Sequence, residues 1–316
     1  MILAIGLLAV GATLVLAGPR LLTRLVPGER APLISIVAWQ LASWFAVASA
    51  ALAAALLAAP SLAAAGRLPA GLEACLATVR QSLGNPADSP LLQSIAAGAL
   101  GAFVLRMTGC ATRLALANHR HRARQRALLT MVGTKDTDLG VVVVADPTAA
   151  VYCLPGRGGR IVFTAAAMAR LTAGQRAAVR AHEQAHLRSR HHLLIASASL
   201  LSRAFPRVPL FNLARQHTLT LVEMHADDLA SRGHGRRPVA EALLALSVVS
   251  APPAVLAATA VTTAERIARL LAPHPPVDAA HPGLDRRVAG VLLGCGALAA
   301  SPVLLAIVGH AAICLV

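Results

Sequence analysis

The segment His182-Glu183-Gln184-Ala185-His186 sets two imidazoles and a carboxylate at helical spacing. Residues four apart on a helix share a face, so His182 and His186 can offer two nitrogens to one ion at about 2.0–2.1 Å. Glu183 adjoins the first ligand and can meet a metal-activated water without binding the metal. That is the place of a general base, which takes a proton as the water attacks a polarised carbonyl. A solvent-exposed helix with two unrelated histidines is the competing reading of so short a motif.

Further along, LTLVEMHADDLASRG carries Glu223 and Asp227, also four apart. Glu223 as third ligand completes a His₂Glu set with the fourth position open to water. Asp227 is then placed to hold the far nitrogen of a ligand histidine. An ordinary solvated acidic face competes evenly at this point, although acids are scarce, 14 in 316 residues. The donor set suits one Zn²⁺ per chain best, and other divalent ions fit it too. His191, His192, His217 and His225 read as surface groups or neighbours of the ligands. His225, two residues from Glu223, is expected to point away. His119, His121, His274 and His281 have no partner spacing. Tyr152, the only tyrosine, reads as a packing residue.

Several elements must position these groups. Thr172 and Gln175 form a capping box that starts the helix TAGQRAAVRAHEQAHLRSR. Ahead of it, LGVVVVA, Ala150–Leu154 and RIVFT read as short strands, with Pro155–Gly159 as a hairpin turn. Gly233 reads as the C-cap of the helix bearing Glu223. The stretch between His186 and Glu223 is apolar enough to enter a membrane. A single crossing would put Glu223 on the far side from the histidines. A re-entrant or interfacial hairpin is therefore expected, turning near Arg203-Ala204-Phe205-Pro206.

Composition sets the surroundings. Charged residues make up 14% against about 25% in soluble domains, and mean hydropathy is +0.65. Uncharged runs at about 1–17, 33–59 and 91–110 predict three membrane helices, with 60–90 as an outer loop. A run over 288–316 predicts a fourth. The first run lacks the basic start of a cleaved signal peptide. The net charge is +15, with arginines crowding 113–126, which places 113–287 in the cytoplasm and both termini outside. A single tyrosine and two tryptophans leave nothing to stack bases, so the basic residues read as resting on anionic lipid, with no nucleic-acid partner. Five scattered cysteines form no disulfide or finger pattern. The predicted fold class is mainly α and integral to the plasma membrane, with about four transmembrane helices and a cytoplasmic α+β peptidase domain holding a small sheet.

The blocks AVYCLPGRGGRIVFT, RAHEQAHLRSRHH and LVEMHADDLAS, in that order, resemble BlaR/MecR-type membrane metallopeptidases. They are more distantly similar to the HtpX and CAAX prenyl protease group. The resemblance implies a gluzincin endopeptidase with His182, His186 and Glu223 as zinc ligands and Glu183 as catalytic base. It further implies that the strand Tyr152-Cys153-Leu154, or Arg160–Thr164, holds extended substrate by edge pairing. In BlaR/MecR proteins an outer sensor detects β-lactams and the peptidase leads to loss of a DNA-binding repressor. The penicillin-binding sensor is expected to be missing here, so the stimulus would come through the 60–90 loop, the bilayer or a partner.

The expected function is thus cleavage of a cytoplasmic or membrane-proximal protein, a transcriptional repressor being one candidate, in regulatory proteolysis. The alternative is a non-catalytic sensor or scaffold stapled by zinc, for which Glu183 has no use. A metal transporter ranks last, for want of ionisable residues inside the first two spans. An oligomer is compatible with the sequence.

Overall fold

A computed structural model describes residues 2–26, 28, 30–64, 89–156, 158–247 and 263–273. Among the described residues four helices come first: α1 (Ile2–Leu16), α2 (Gly18–Leu25), α3 (Pro32–Ala64) and α4 (Pro90–Val132). The chain bends by 57° between α1 and α2, where Pro19, in the first turn of α2, cannot continue the α1 ladder. Leu22 is buried while Arg20 and Arg24 are exposed, so α2 is amphipathic.

Pro32–Ala59 and Pro90–Val132 are long and apolar enough to cross a membrane, and the bent α1–α2 pair adds a third if counted as one span. The expected fourth helix, 288–316, lies outside the described residues, as does most of the 60–90 loop. The third helix does not stop near residue 110. At 43 residues and 1.5 Å per residue, α4 is about 65 Å long, roughly twice the hydrocarbon thickness of a bilayer. Its basic half, Arg113–Arg126, is rich in alanine, leucine and arginine, all good helix formers, with no proline or glycine before Gly133. There a Cβ would lie 2.5 Å from the Leu129 carbonyl oxygen and 2.6 Å from Val142, so only glycine fits the exit.

The chain then forms β1 (Gly133–Asp136), β2 (Val141–Val144), β3 (Val151–Leu154) and β4 (Arg160–Thr164), ordered β1-β2-β4-β3. β1–β2 and β3–β4 pair antiparallel and β2–β4 parallel. β1 was not expected, because Gly-Thr-Lys-Asp has no alternating pattern. It forms because Leu139 N–H donates to Asp136 (3.0 Å) and Gly140, at φ +64°, turns the chain back. The Pro155–Gly159 turn is where the sequence places it, and β3 is left at one edge of the sheet.

Helices follow: α5 (Ala165–Arg170), α6 (Ala173–Arg188), α7 (His191–Ala204), α8 (Pro209–His234), α9 (Arg236–Ser247) and α10 (263–271). The α6 capping box is present, with Thr172 N–H donating to Gln175 (3.0 Å) and Gln175 N–H to Thr172 (3.3 Å). The α7–α8 hairpin turns over Phe205–Val208, and Asn212 pins it by donating to the Pro206 carbonyl (2.8 Å) while accepting from Ser202 (2.7 Å). Gly235, at φ +81°, ends α8, two residues beyond the expected Gly233. An apolar core joins α2 and α3 to this hairpin through Ile36, Trp39, Leu201, Leu210 and Val222. The ring of Trp39 stacks on His217 at 4.6 Å. A second core under the sheet centres on Phe163, Leu171 and Val179.

Candidate metal centre

On α6, His182 and His186 point their Nε2 atoms together, 3.1 Å apart. The hairpin returns α8 alongside, so that Glu223 Oε2 lies 3.5 Å from His182 Nε2 and Oε1 lies 3.4 Å from His186 Nε2. Ligands at the corners of a tetrahedron around an ion about 2.05 Å away are separated by about 3.3 Å. The donors therefore already hold the spacing of a single ion's coordination shell, and these three are a possible metal site. The donor chemistry, two imidazole nitrogens and a carboxylate, fits a zinc ion.

Burial alone would depress the His182 pKa, but contacts to Asp227 and Glu223 outweigh it and hold the ring up at about 9. Glu223 is opposite in sign: burial raises its carboxyl, while the two histidines and Arg266 bring it well below the ordinary value. The Asp227 carboxylate, 1% exposed, lies 3.0 Å from His182 Nδ1. The N–H direction is not aimed squarely at it, so the contact is electrostatic first. Burial raises Asp227 as well, and the hydrogen bonds from Arg266 with the close approach of His182 more than reverse this.

Glu183 is placed between the imidazoles and the edge strand. Burial raises its carboxyl and the charge of the two histidines partly offsets this. Cys153 on β3 hydrogen-bonds to Glu183, and burial, with that carboxylate next, pushes its thiol up to about 12. Cys153 is therefore a neutral thiol beside Glu183. Tyr152 and Leu154 share the face of the edge strand opposite to Cys153; Tyr152 is exposed, and Leu154 is buried against Leu129 and Val162.

Two features escaped sequence reasoning. Arg266 on α10 is buried and grips Asp227 with two bonds, 2.7 Å and 2.8 Å, while its third nitrogen lies 3.1 Å from Glu223. Arg269, one turn on, pairs with Asp228 at 2.8 Å. The signal for Arg266 was indirect: two neighbouring acids, one of them buried, call for a cation, but an arginine-rich sequence does not say which one. The second is the contact made by His225, which lies outside the three-donor group as expected. It lies with its Nδ1 2.9 Å from His191 Nε2, because α7 packs against that flank of α8. His191 is itself 1% exposed, and burial, then the neighbouring His186 and His225, pull its pKa down to about 3.

Comparison with family models gives a match over residues 115–291, more than half of the 316-residue chain, to the model described as Peptidase family M48. No curated protein matches, and no solved structure does.

Proposed function

The chain belongs to peptidase family M48, a family of zinc metalloproteases, and from that premise we propose that it is a membrane-embedded zinc endopeptidase. In this reading its substrate is a cytoplasmic or membrane-proximal protein. The observation that carries it is the triangle of His182, His186 and Glu223 at 3.1–3.5 Å with Glu183 beside it. Zinc, when bound there, supplies Lewis-acid polarisation of the scissile carbonyl.

The remaining work falls to the chain. Glu183, its carboxyl raised by burial, accepts the proton of the attacking water and passes it to the leaving amine. Asp227 orients the His182 ring. Arg266 keeps Asp227 ionised by hydrogen bonds and charge, and it favours the ionised form of Glu223 by charge. β3 is an edge strand among the described residues, so Tyr152, Cys153 and Leu154 can lay an extended peptide past Glu183 by main-chain pairing.

The reading places the catalytic domain on the cytoplasmic side and both termini outside, supported by Arg113–Arg126 following the apolar half of α4. The likeness of the three motif blocks to BlaR/MecR-type peptidases supports a regulatory substrate, a DNA-binding repressor being the candidate.

Glu183→Gln is the decisive variant. Zinc stoichiometry stays at that of the wild type while substrate cleavage falls about 10²–10⁴-fold. Proteomic comparison of cells carrying either form identifies the substrate as a protein cut only by the wild type. Cleavage that survives the substitution excludes Glu183 as the base, whereas stoichiometric zinc with no protein cut by the wild type leaves the zinc-stapled scaffold.

A further inference from the structure

His186 has two ring nitrogens, and the second faces inward rather than towards solvent. Its Nδ1 lies 2.9 Å from Nδ1 of His191, and His191 Nε2 lies 2.9 Å from Nδ1 of His225. The backbone goes out of its way to make this line. Arg190 takes φ 50°, the one positive φ at a non-glycine among the described residues. This left-handed residue turns α6 sharply into α7, which brings His191 back over His186. A strained backbone that persists calls for a reason in its surroundings.

Each of the two contacts holds one proton between two nitrogens, and a neutral imidazole has one donor and one acceptor. Only two proton orders satisfy both contacts with neutral rings. In one, His186 Nδ1–H donates to His191 Nδ1, and His191 Nε2–H donates to His225 Nδ1. In the other, every proton is reversed and His186 carries its hydrogen on Nε2. That hydrogen would fill the lone pair facing His182 and Glu223, and the metal site would be blocked.

We propose that His191 and His225 are positioning residues that fix the tautomer of His186, keeping its Nε2 lone pair free for a divalent ion. The proposal rests on the zinc site above. His191 is the central member, because it accepts from His186 and passes its own proton outward; His225 holds it in that order. A direct carboxylate partner, which His182 has in Asp227, is replaced at His186 by two neutral rings. One site thus orients its two imidazoles by different chemistry.

The test uses the full-length protein in detergent, with zinc affinity measured by competition against a chelator. His191→Phe removes the acceptor and raises the zinc Kd about 10–100-fold. His191→Asn places an amide oxygen near the position of Nδ1 and restores affinity to within a few fold. His225→Leu gives a smaller loss. Melting of the metal-free variants separates folding from binding. Nitrogen-15 NMR of histidine-labelled, zinc-loaded protein supplies a signature that packing alone does not produce: His191 carries its proton on Nε2 and is bare at Nδ1. A zinc Kd for His191→Phe within twofold of wild type overturns the proposal. Equal losses for Phe and Asn, or a proton on His191 Nδ1, do so too. If His191→Phe does not fold, the NMR assignment and His225→Leu decide. A wild-type protein that binds no zinc overturns the metal-site reading, whereas wild-type binding with an indifferent His191→Phe overturns the tautomer assignment alone.

Discussion

Arg266 shows how much a single side chain supports. It is the cation between two acids that both face the imidazoles, and its contacts with Asp227 are bidentate. Removing one partner of a buried pair leaves an uncompensated charge, which costs more than the pair itself contributes. Arg266→Met is therefore expected to destabilise the fold by about 3 kcal/mol and to weaken zinc binding with it. Arg266→Lys keeps the charge but loses the fork that matches a carboxylate, so its loss is smaller. Thermal unfolding of the three proteins, with and without zinc, gives the order. At this scale HEQAH was legible at once, since ligand spacing on a helix is a local property. Arg266 was not, because its partners lie about 40 positions earlier in the chain.

The α7–α8 hairpin is the element that makes the site possible, for it returns Glu223 to His186 after an apolar excursion. Sequence reasoning anticipated its turn from the requirement that both ends meet. Its packing was beyond reach. His217, on α8, stacks on Trp39 of α3 and has its pKa lowered by burial. The unfolded chain, with the ordinary histidine value of 6.5, therefore binds the proton more readily than the folded one. Stability rises with pH through that region and is lost as pH falls below about 6.5. His217→Phe keeps the stacking without the proton, so its stability is expected to fall less than wild type between pH 7 and pH 5. Denaturant titrations at the two pH values measure the difference. Wild-type and variant curves of equal pH sensitivity would show that His217 protonates freely where it stands.

Across the whole molecule, the candidate ligands tie α6 to α8, and Arg266 ties α10 to both ligand and support. A metal that binds only the folded form stabilises it by mass action, about 2.7 kcal/mol at a concentration a hundredfold above Kd. Stripping zinc with a chelator is thus expected to lower the melting temperature, and returning zinc to restore it. An unchanged melting curve with and without zinc would mean that the three donors hold no ion. The apolar helices set the outer frame: α3 packs on the hairpin by one half, and α4 carries the chain from a candidate span down to the sheet.

What the sequence alone determined was periodic and local. The HEQAH pair, the capping box, three of the four strands, the hairpin turn and the apolar runs all follow from spacing and composition within a few turns or residues. Even the third donor of the candidate site was reachable, because Glu223 and Asp227 share a helical face in a chain poor in acids. Tertiary structure decided the rest. Which arginine neutralises the acids, which histidines line up behind His186, and how far α4 continues depend on contacts between distant segments. Glycine at 133 and 235 ended helices where packing and backbone geometry demanded it. The physical reason is the same in each case: local pattern fixes which face a residue takes, whereas only packing fixes what that face meets.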